Sequence, residues 1–422
     1  MIMKLQKSKI KGCLKIPGSK SHTIRALFMA SLAEGKSVIR NPLISDDTLS
    51  AVRTCQSFGA QISMKDDYFI VEGFGGKPKV PEDVINVGNS GTTLRISMMV
   101  AGLADGITVF TGDEQIRNRP LQPLIDAMNN LGASVYTTRG NGMAPVIVKG
   151  PLSGGETLLD AVTSQYLSSI LISAPLLKND TTVTITRLNE VPYVEMTLWW
   201  LDRQNIAYEN DNFKTFKIRG RHVYSPMEVT IPGDFSSASF FLVLAAISEG
   251  ELLLENLDMN DVQGDKQVVH ILESMGAKIE INRSGIKIKG GRLLGKTIDM
   301  NAIPDALPIL AVAGCFAEGE TRLLNVPQAR LKETDRIAVM YRELKKMGAD
   351  IEELPDGLIV RKSNLMGCSV NGHGDHRIVM SLAVAGLCSE GETTVDTAES
   401  VNVTVPEFPE MIAKCGGALE LI

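Results

Sequence analysis

Basic residues recur in this chain at points where apolar, helix-like runs begin. Lys20 and Arg25 follow Pro17-Gly18-Ser19, Arg95 follows Gly88-Asn89-Ser90-Gly91 by one turn, and Arg377 follows Gly372-His373-Gly374-Asp375. Three further runs open at Asp160 to Ser164, at Gly233-Asp234 and at Pro304-Asp305. The first turn of a helix carries unpaired N–H groups and a partial positive charge, so several such turns lined with cations suit a small ligand bearing more than one negative group. A single surface Lys or Arg is ordinarily a solvated charge and nothing more. Recurrence at one structural phase changes that reading. The sharpest local run is Arg330-Leu331-Lys332-Glu333-Thr334-Asp335-Arg336. Read as an exposed helix face, it offers weak pairs such as Glu333 with Arg336, but it also sets Lys332 and Arg336 four apart, mildly repulsive unless an anion lies between them. Arg119 precedes Pro120, which pushes its backbone toward an extended conformation and suits a loop presenting one guanidinium fork to a carboxylate or phosphate.

The elements that must position these residues repeat. Breaks at Glu34-Gly35, Asp105-Gly106, Asn179-Asp180, Glu249-Gly250, Glu318-Gly319 and Glu390-Gly391 are spaced by 71, 74, 70, 69 and 72 residues, counting from the second residue of each. A second mark keeps the same beat at Gly59-Ala60, Gly132-Ala133, Asn205-Ile206, Gly276-Ala277, Gly348-Ala349 and Gly416-Gly417. Such a period marks a six-fold internal repeat. Each copy reads as strand, helix, strand, helix and hairpin; in the first, a strand over Cys13 to Ile16 leads to a helix over Ser19 to Leu32, and a hairpin turns at Asp66-Asp67. The last copy ends after one strand, Leu419 to Ile422, and Met3 to Lys11 is expected to supply its missing partner. Two halves of three repeats follow: a discontinuous domain of 1–18 plus 232–422, and an inserted domain of 19–231. A linear solenoid is the alternative, disfavoured by the regular hairpins.

Composition excludes several classes. Hydrophobic residues make up 44% and charged residues 22%, ordinary for a globular protein, and a net charge of -6 argues against nucleic acid as a partner. The longest apolar run, Ala306 to Ala317, contains Pro308 and is shorter than the roughly 18 residues of a membrane span. The start lacks a signal-peptide apolar region, so a cytoplasmic location is expected. Six scattered cysteines suggest neither a disulfide framework nor a zinc site, and the five histidines lack a metal-binding spacing. Gly35-Lys36-Ser37 mimics the end of a phosphate-binding loop, but Ala30 stands where that motif needs glycine. The Gly372-x-Gly374-x-x-Arg377 stretch lacks the third glycine of a dinucleotide fingerprint. No metal and no cofactor are expected.

Taken together, Gly18-Ser19-Lys20-Ser21 with Arg25, Gly88-Asn89-Ser90-Gly91-Thr92-Thr93 with Arg95, Arg119-Pro120, Ser164-Gln165, Pro304-Asp305, Lys332-Glu333-Thr334-Asp335-Arg336 and Asp375-His376-Arg377 resemble the 5-enolpyruvylshikimate-3-phosphate synthase family across essentially the whole chain. The resemblance implies a two-domain inside-out α/β barrel of six βαβαββ repeats, three per domain, with the active site in the interdomain cleft. It implies shikimate 3-phosphate and phosphoenolpyruvate as substrates, and a monomer is expected. By position, Ser21 and Arg25 would hold the shikimate carboxylate, and Thr163, Ser164 and Lys332 its phosphate. Gln165 would lie between the substrates, Gly91, Arg119, Arg336 and Arg377 would grip phosphoenolpyruvate, and Lys20 would reach both. Asp305 is the candidate base at the shikimate 5-hydroxyl and Glu333 the candidate acid at the methylene carbon, two carboxylates dividing the proton transfers.

Three positions depart from the family pattern. Glu190 stands where a serine of the phosphate pocket is common, and a carboxylate there repels phosphate unless it turns away. The stretch Asn402-Val403-Thr404-Val405-Pro406 lacks a lysine that many members carry, and Gln328 replaces a common asparagine. Two rivals remain: the related transferase acting on UDP-N-acetylglucosamine, and a non-catalytic binding protein on the same scaffold. The first is disfavoured by Lys20-Ser21, where that enzyme resembles Lys-Asn, and by the loop Glu114-Gln115-Ile116-Arg117-Asn118, where it usually has a cysteine.

Overall fold

The computed structural model describes residues 1–248 and 250–422; Glu249, half of one repeat mark, lies outside them. Among the described residues there are twelve α-helices: α1 (Lys20–Leu32), α2 (Asp46–Ser57), α3 (Gly91–Ala101), α4 (Gln122–Asn130), α5 (Ser164–Ser173), α6 (Val191–Arg203), α7 (Phe235–Ile247), α8 (Gln267–Met275), α9 (Leu307–Phe316), α10 (Arg336–Lys346), α11 (His376–Cys388) and α12 (Phe408–Lys414). None is long and apolar enough to cross a membrane. The protein is mixed α/β, and its backbone divides into two compact units, Met1–Pro17 with Pro232–Ile422, and Gly18–Ile231.

Six four-stranded sheets share one strand order: a first strand, its parallel neighbour, then an antiparallel pair, which is a hairpin in five of the six. In one, Ile85–Asn86 lies parallel to Ile107–Thr111, which pairs with Val146–Lys149 and through it with Ser134–Thr137. The strand at Met3–Gln6 fills the third place of the last sheet, antiparallel to both Glu392–Val395 and Ala418–Leu421. The expected N-terminal partner strand is therefore present, although it is shorter than the segment from Met3 to Lys11. The sheet holding Glu34–Arg40 takes its parallel partner from Glu228–Thr230, almost two hundred residues later.

The odd-numbered helices are buried and the even-numbered ones amphipathic. Every residue from Phe235 to Ala246 in α7 and from His376 to Leu387 in α11 is buried, and α7, α9 and α11 pack on one another within the discontinuous unit. In the other unit α3 packs against both α1 and α5. A helix apolar on all sides is stable only when surrounded, so these central helices are fixed by packing more than by propensity. Five of the six odd helices begin at a short polar side chain that accepts a backbone N–H of the first turn: Ser19, Ser90, Thr163, Asp234 and Asp375. The sixth, α9, instead follows a 3-10 turn at Pro304–Ala306, which places Asp305 just ahead of the helix.

The N-terminal strand is structural, since Leu5 is fully buried and faces Thr393 and Leu419 across its two ladders. Leu5→Ala should lower unfolding free energy by about 3 kcal/mol in urea titration, the usual cost of a buried leucine truncation. A loss under about 0.5 kcal/mol, typical of surface changes, would show that this strand contributes little to the unit.

Candidate active site

Two clusters of charge gather at the ends of the odd helices, one in each unit. In the discontinuous unit the centre is Arg336, the first residue of α10, with a side chain only 1% exposed. Its Nη1 donates to Asp305 Oδ1 at 2.8 Å, its Nη2 to Glu333 Oε2, and its Nε to Asp375 Oδ2 at 2.8 Å. A guanidinium buried this deeply needs such partners, because removing a charge from water without compensation is far more costly than any single pair repays. Asp305 is shared further: Arg377 Nη2 lies 3.0 Å from its Oδ2 and Lys332 Nζ 3.9 Å from its Oδ1. The anion expected between Lys332 and Arg336 is thus Asp305 itself.

Cations and carboxylates balance here, Lys332, Arg336 and Arg377 against Asp305, Glu333 and Asp375. Burial alone would raise the Asp305 carboxyl, but Arg377, then Lys332 and Arg336, outweigh burial and hold it well below the usual carboxylate range. Arg336 is correspondingly pushed above its ordinary value, the three carboxylates overcoming its desolvation. Arg377 Nη2 also donates to Ser236 Oγ at 3.0 Å, and Thr334 Oγ1 to Asp375 Oδ2 at 3.0 Å.

The run from Arg330 to Arg336 is not a helix face. Pro327–Leu331 is a 3-10 turn, Lys332 is extended, and Asp335 caps α10 by accepting from Ala338 N at 3.0 Å. Arg330 folds back onto the carbonyls of Leu354 and Pro355 and onto Asp335. The Glu333 to Arg336 pair survives, but between a loop residue and a helix residue.

In the inserted unit, Lys20 opens α1 and its Nζ lies 2.9 Å from Asp47 Oδ2 on α2. Ser21 follows it, and its carbonyl accepts from Arg25 Nη1 at 3.1 Å. Arg25 is 2% exposed and ties three helices together: Nε donates to Thr197 Oγ1 on α6 at 2.9 Å, and Nη2 donates to Ser168 Oγ on α5 at 3.3 Å and to the Tyr193 carbonyl at 3.0 Å. Every one of these acceptors is neutral, and burial pushes its guanidinium down to about 10. A desolvated cation held only by neutral oxygens is a strong seat for an anion.

Gly91, Arg95, Arg119 and Gln165 meet at the start of α3. A β-carbon on Gly91 would overlap Arg95 Nη1 and Arg119 Nη1, so glycine is there for space. Arg119 closes a 3-10 turn at Ile116–Asn118 with an extended backbone, as Pro120 requires. Thr163 caps α5, followed by Ser164 and Gln165. Their nearest anion is Glu190, whose Oε2 accepts from Ser164 N at 3.1 Å, Ser164 Oγ at 2.7 Å and Thr163 Oγ1 at 3.1 Å.

The structure thus gathers Asp305, Lys332, Glu333, Arg336 and Arg377 in one unit. In the other, Lys20, Ser21 and Arg25 share α1, Gly91, Arg119 and Gln165 meet at α3, and Thr163 and Ser164 open α5. Asp47, Ser168, Thr197, Ser236 and the anchoring role of Asp375 were not read from sequence. Asp375 stood in a quoted motif; the other four carry no local signal beyond being polar. Gln328 is buried with its Nε2 donating to the Asn301 carbonyl at 3.1 Å, and Val403 ends a 3-10 turn.

Buried arginines and half-buried lysines beside carboxylates at repeated helix starts mark out a class of mixed α/β protein. Comparison with known proteins gives that class a family. A profile described as EPSP synthase (3-phosphoshikimate 1-carboxyvinyltransferase) matches residues 5–412. The 3-phosphoshikimate 1-carboxyvinyltransferase of Acetivibrio thermocellus is 66% identical over 416 residues, covering 99% of this chain and 98% of its own. That of Ruminiclostridium cellulolyticum is 62% identical over 422 residues, covering both chains completely. A solved EPSP synthase from Acinetobacter baumannii superposes with a TM-score of 0.83 at 28% identity over the full length of both chains. The chain belongs to the EPSP synthase family.

Two outcomes test the geometry. Asp305→Asn leaves Arg336 and Arg377 short of an anion and should cost about 3 kcal/mol of stability at neutral pH. Because the folded carboxyl is depressed, its stabilisation is complete above about pH 4, the unfolded carboxyl's range, and is lost as pH falls toward the folded value. Urea titrations of both proteins should therefore converge below about pH 4; a gap independent of pH would refute the ionic account. Gly91→Ala should leave the fold intact and raise KM for an anionic substrate held by Arg119 about tenfold or more, as a displaced charge-assisted hydrogen bond would. An unchanged KM would detach Gly91 from that group.

Proposed function

We propose that this chain transfers the enolpyruvyl group of phosphoenolpyruvate to the 5-hydroxyl of shikimate 3-phosphate and releases phosphate. The observation that carries this reading is 66% identity, over 99% of the chain, to a protein named for that transfer. The candidate site supplies chemistry of the right kind. Arg25, lacking a carboxylate among the described residues, would hold the shikimate carboxylate with Ser21. Thr163, Ser164 and Lys332 would take its phosphate, with Gln165 between the substrates. Gly91, Arg119, Arg336 and Arg377 would receive phosphoenolpyruvate, and Lys20 would reach both.

The reaction adds the 5-hydroxyl oxygen to C2 of the enol while a proton arrives at C3; the tetrahedral intermediate then expels phosphate and gives up a C3 proton. Asp305 is the proposed base. Its depressed carboxyl makes it a weak base in the free protein, and phosphoenolpyruvate, by drawing Arg336 and Arg377 onto its own anionic groups, would lift that restraint at the moment the base is needed. Glu333 is the proposed proton donor to C3, which requires its pair with Arg336 to open. The cations stabilise developing phosphate and carboxylate charge by being in place beforehand.

This reading includes a two-domain inside-out α/β barrel built from six βαβαββ units, both charge clusters serving one reaction, and a monomer working in the cytoplasm. Its test is phosphate release by purified protein given phosphoenolpyruvate with shikimate 3-phosphate or with UDP-N-acetylglucosamine. Release with shikimate 3-phosphate alone is expected; release only with the sugar nucleotide, or with neither, contradicts it. Glu333→Gln should lower kcat by about a hundredfold or more with little change in KM, the loss typical of a removed acid–base group. A change confined to KM would make Glu333 a binding residue.

A further inference from the structure

Glu190 is an acidic side chain that the proposed reaction does not employ, yet it sits on Thr163 and Ser164, the groups assigned to the substrate phosphate. It precedes α6 with φ 61° and ψ 42°, the left-handed region that a residue with a β-carbon seldom adopts. The residue is 2% exposed. Its carboxylate gathers a backbone N–H and two hydroxyls at the start of α5, all within 3.1 Å of one oxygen. That donor set, at the positive end of a helix of ten residues, is what a phosphate oxygen would take. The backbone is pinned on both sides: Asn189 N and Nδ2 donate to the Ala161 and Val162 carbonyls, Tyr193 N donates to the Glu190 carbonyl, and Arg25 holds the Tyr193 carbonyl. Motion is therefore open to the side chain and not to the loop.

Resting on the reading above for the identity of the acceptor, we propose that Glu190 is a resident anion in the seat of the shikimate 3-phosphate phosphate, which the substrate must displace. Two anions cannot share Ser164 N, Ser164 Oγ and Thr163 Oγ1. Binding is thus an exchange, in which the carboxylate rotates out as the phosphate takes its three donors. In the free protein the seat is never unpaired, so the first turn of α5 keeps its hydrogen bonds. A ligand lacking phosphate has nothing with which to evict the carboxylate. Glu190 is thus an internal competitor: it weakens the hold on the one ligand that must displace it and leaves a ligand without phosphate unaffected.

The test uses the full chain with Glu190→Ser and Glu190→Gln, titrated calorimetrically with shikimate 3-phosphate and with shikimate. Both variants should bind shikimate 3-phosphate about tenfold tighter, the scale of one charge-assisted hydrogen bond no longer contested, while shikimate affinity moves less than about twofold. Without ligand, Glu190→Ser should melt at a lower temperature because α5 loses its carboxylate cap. Equal or weaker binding of shikimate 3-phosphate by the variants overturns the proposal, since a carboxylate that only capped the helix would change melting and leave affinity alone. If Glu190→Ser does not fold, Glu190→Gln keeps the shape, removes the charge and decides in the same way. Wild-type phosphate release is measured alongside. Turnover with unchanged affinity in Glu190→Gln sinks this inference alone, whereas no turnover sinks the reaction and the inference with it.

Discussion

A guanidinium out of water must be surrounded by oxygen, and Arg336 imposes that requirement on the charged end of the discontinuous unit. Its three carboxylate partners come from three different stretches: Asp305 from the turn before α9, Glu333 from the loop before α10, and Asp375 from the cap of α11. None of the three could be replaced independently, because removing one partner of a buried pair strands the others. Asp305 carries the constraint outward to Arg377 and Lys332. Three cations, Lys332, Arg336 and Arg377, thus interleave with three carboxylates, Asp305, Glu333 and Asp375.

The inserted unit meets the same requirement differently. Arg25 is as buried as Arg336, yet it is held by hydroxyls and carbonyls of Ser21, Ser168, Tyr193 and Thr197. Glu190, the acid close to that region, is spent on the start of α5 instead. Lys20 is paired with Asp47. One unit thus stores its cations in ion pairs, and the other keeps one buried cation on neutral oxygens while an acid occupies a neighbouring helix end. Both arrangements are preorganised, since the packing of fully buried helices leaves their first turns little freedom.

Much of the scaffold was legible in sequence because its signals are local. Ser19, Ser90, Asp234 and Asp375 announce helix starts through capping chemistry that acts within three residues, and glycine-rich or acidic turns mark the hairpins. The truncated last repeat likewise pointed to the strand at Met3–Gln6, since a hairpin arm without a partner leaves open ladder groups. What resisted reading is nonlocal. Nothing near Glu190 says that its carboxylate turns toward Ser164, twenty-six residues earlier. Nothing near Asp47 names Lys20, and nothing near Arg330 says that its guanidinium reaches the Leu354 and Pro355 carbonyls. Propensity decided where chains start and turn, and tertiary charge pairing decided which side chains share a site.

The most direct measurement of the central claim is a double-mutant cycle on unfolding free energy between Arg336→Met and Asp305→Asn. If Arg336 and Asp305 depend on each other, each single change strands a buried charge, and the double variant should be less damaged than the sum by about 1–3 kcal/mol. Strict additivity, within about 0.3–0.5 kcal/mol, would contradict it.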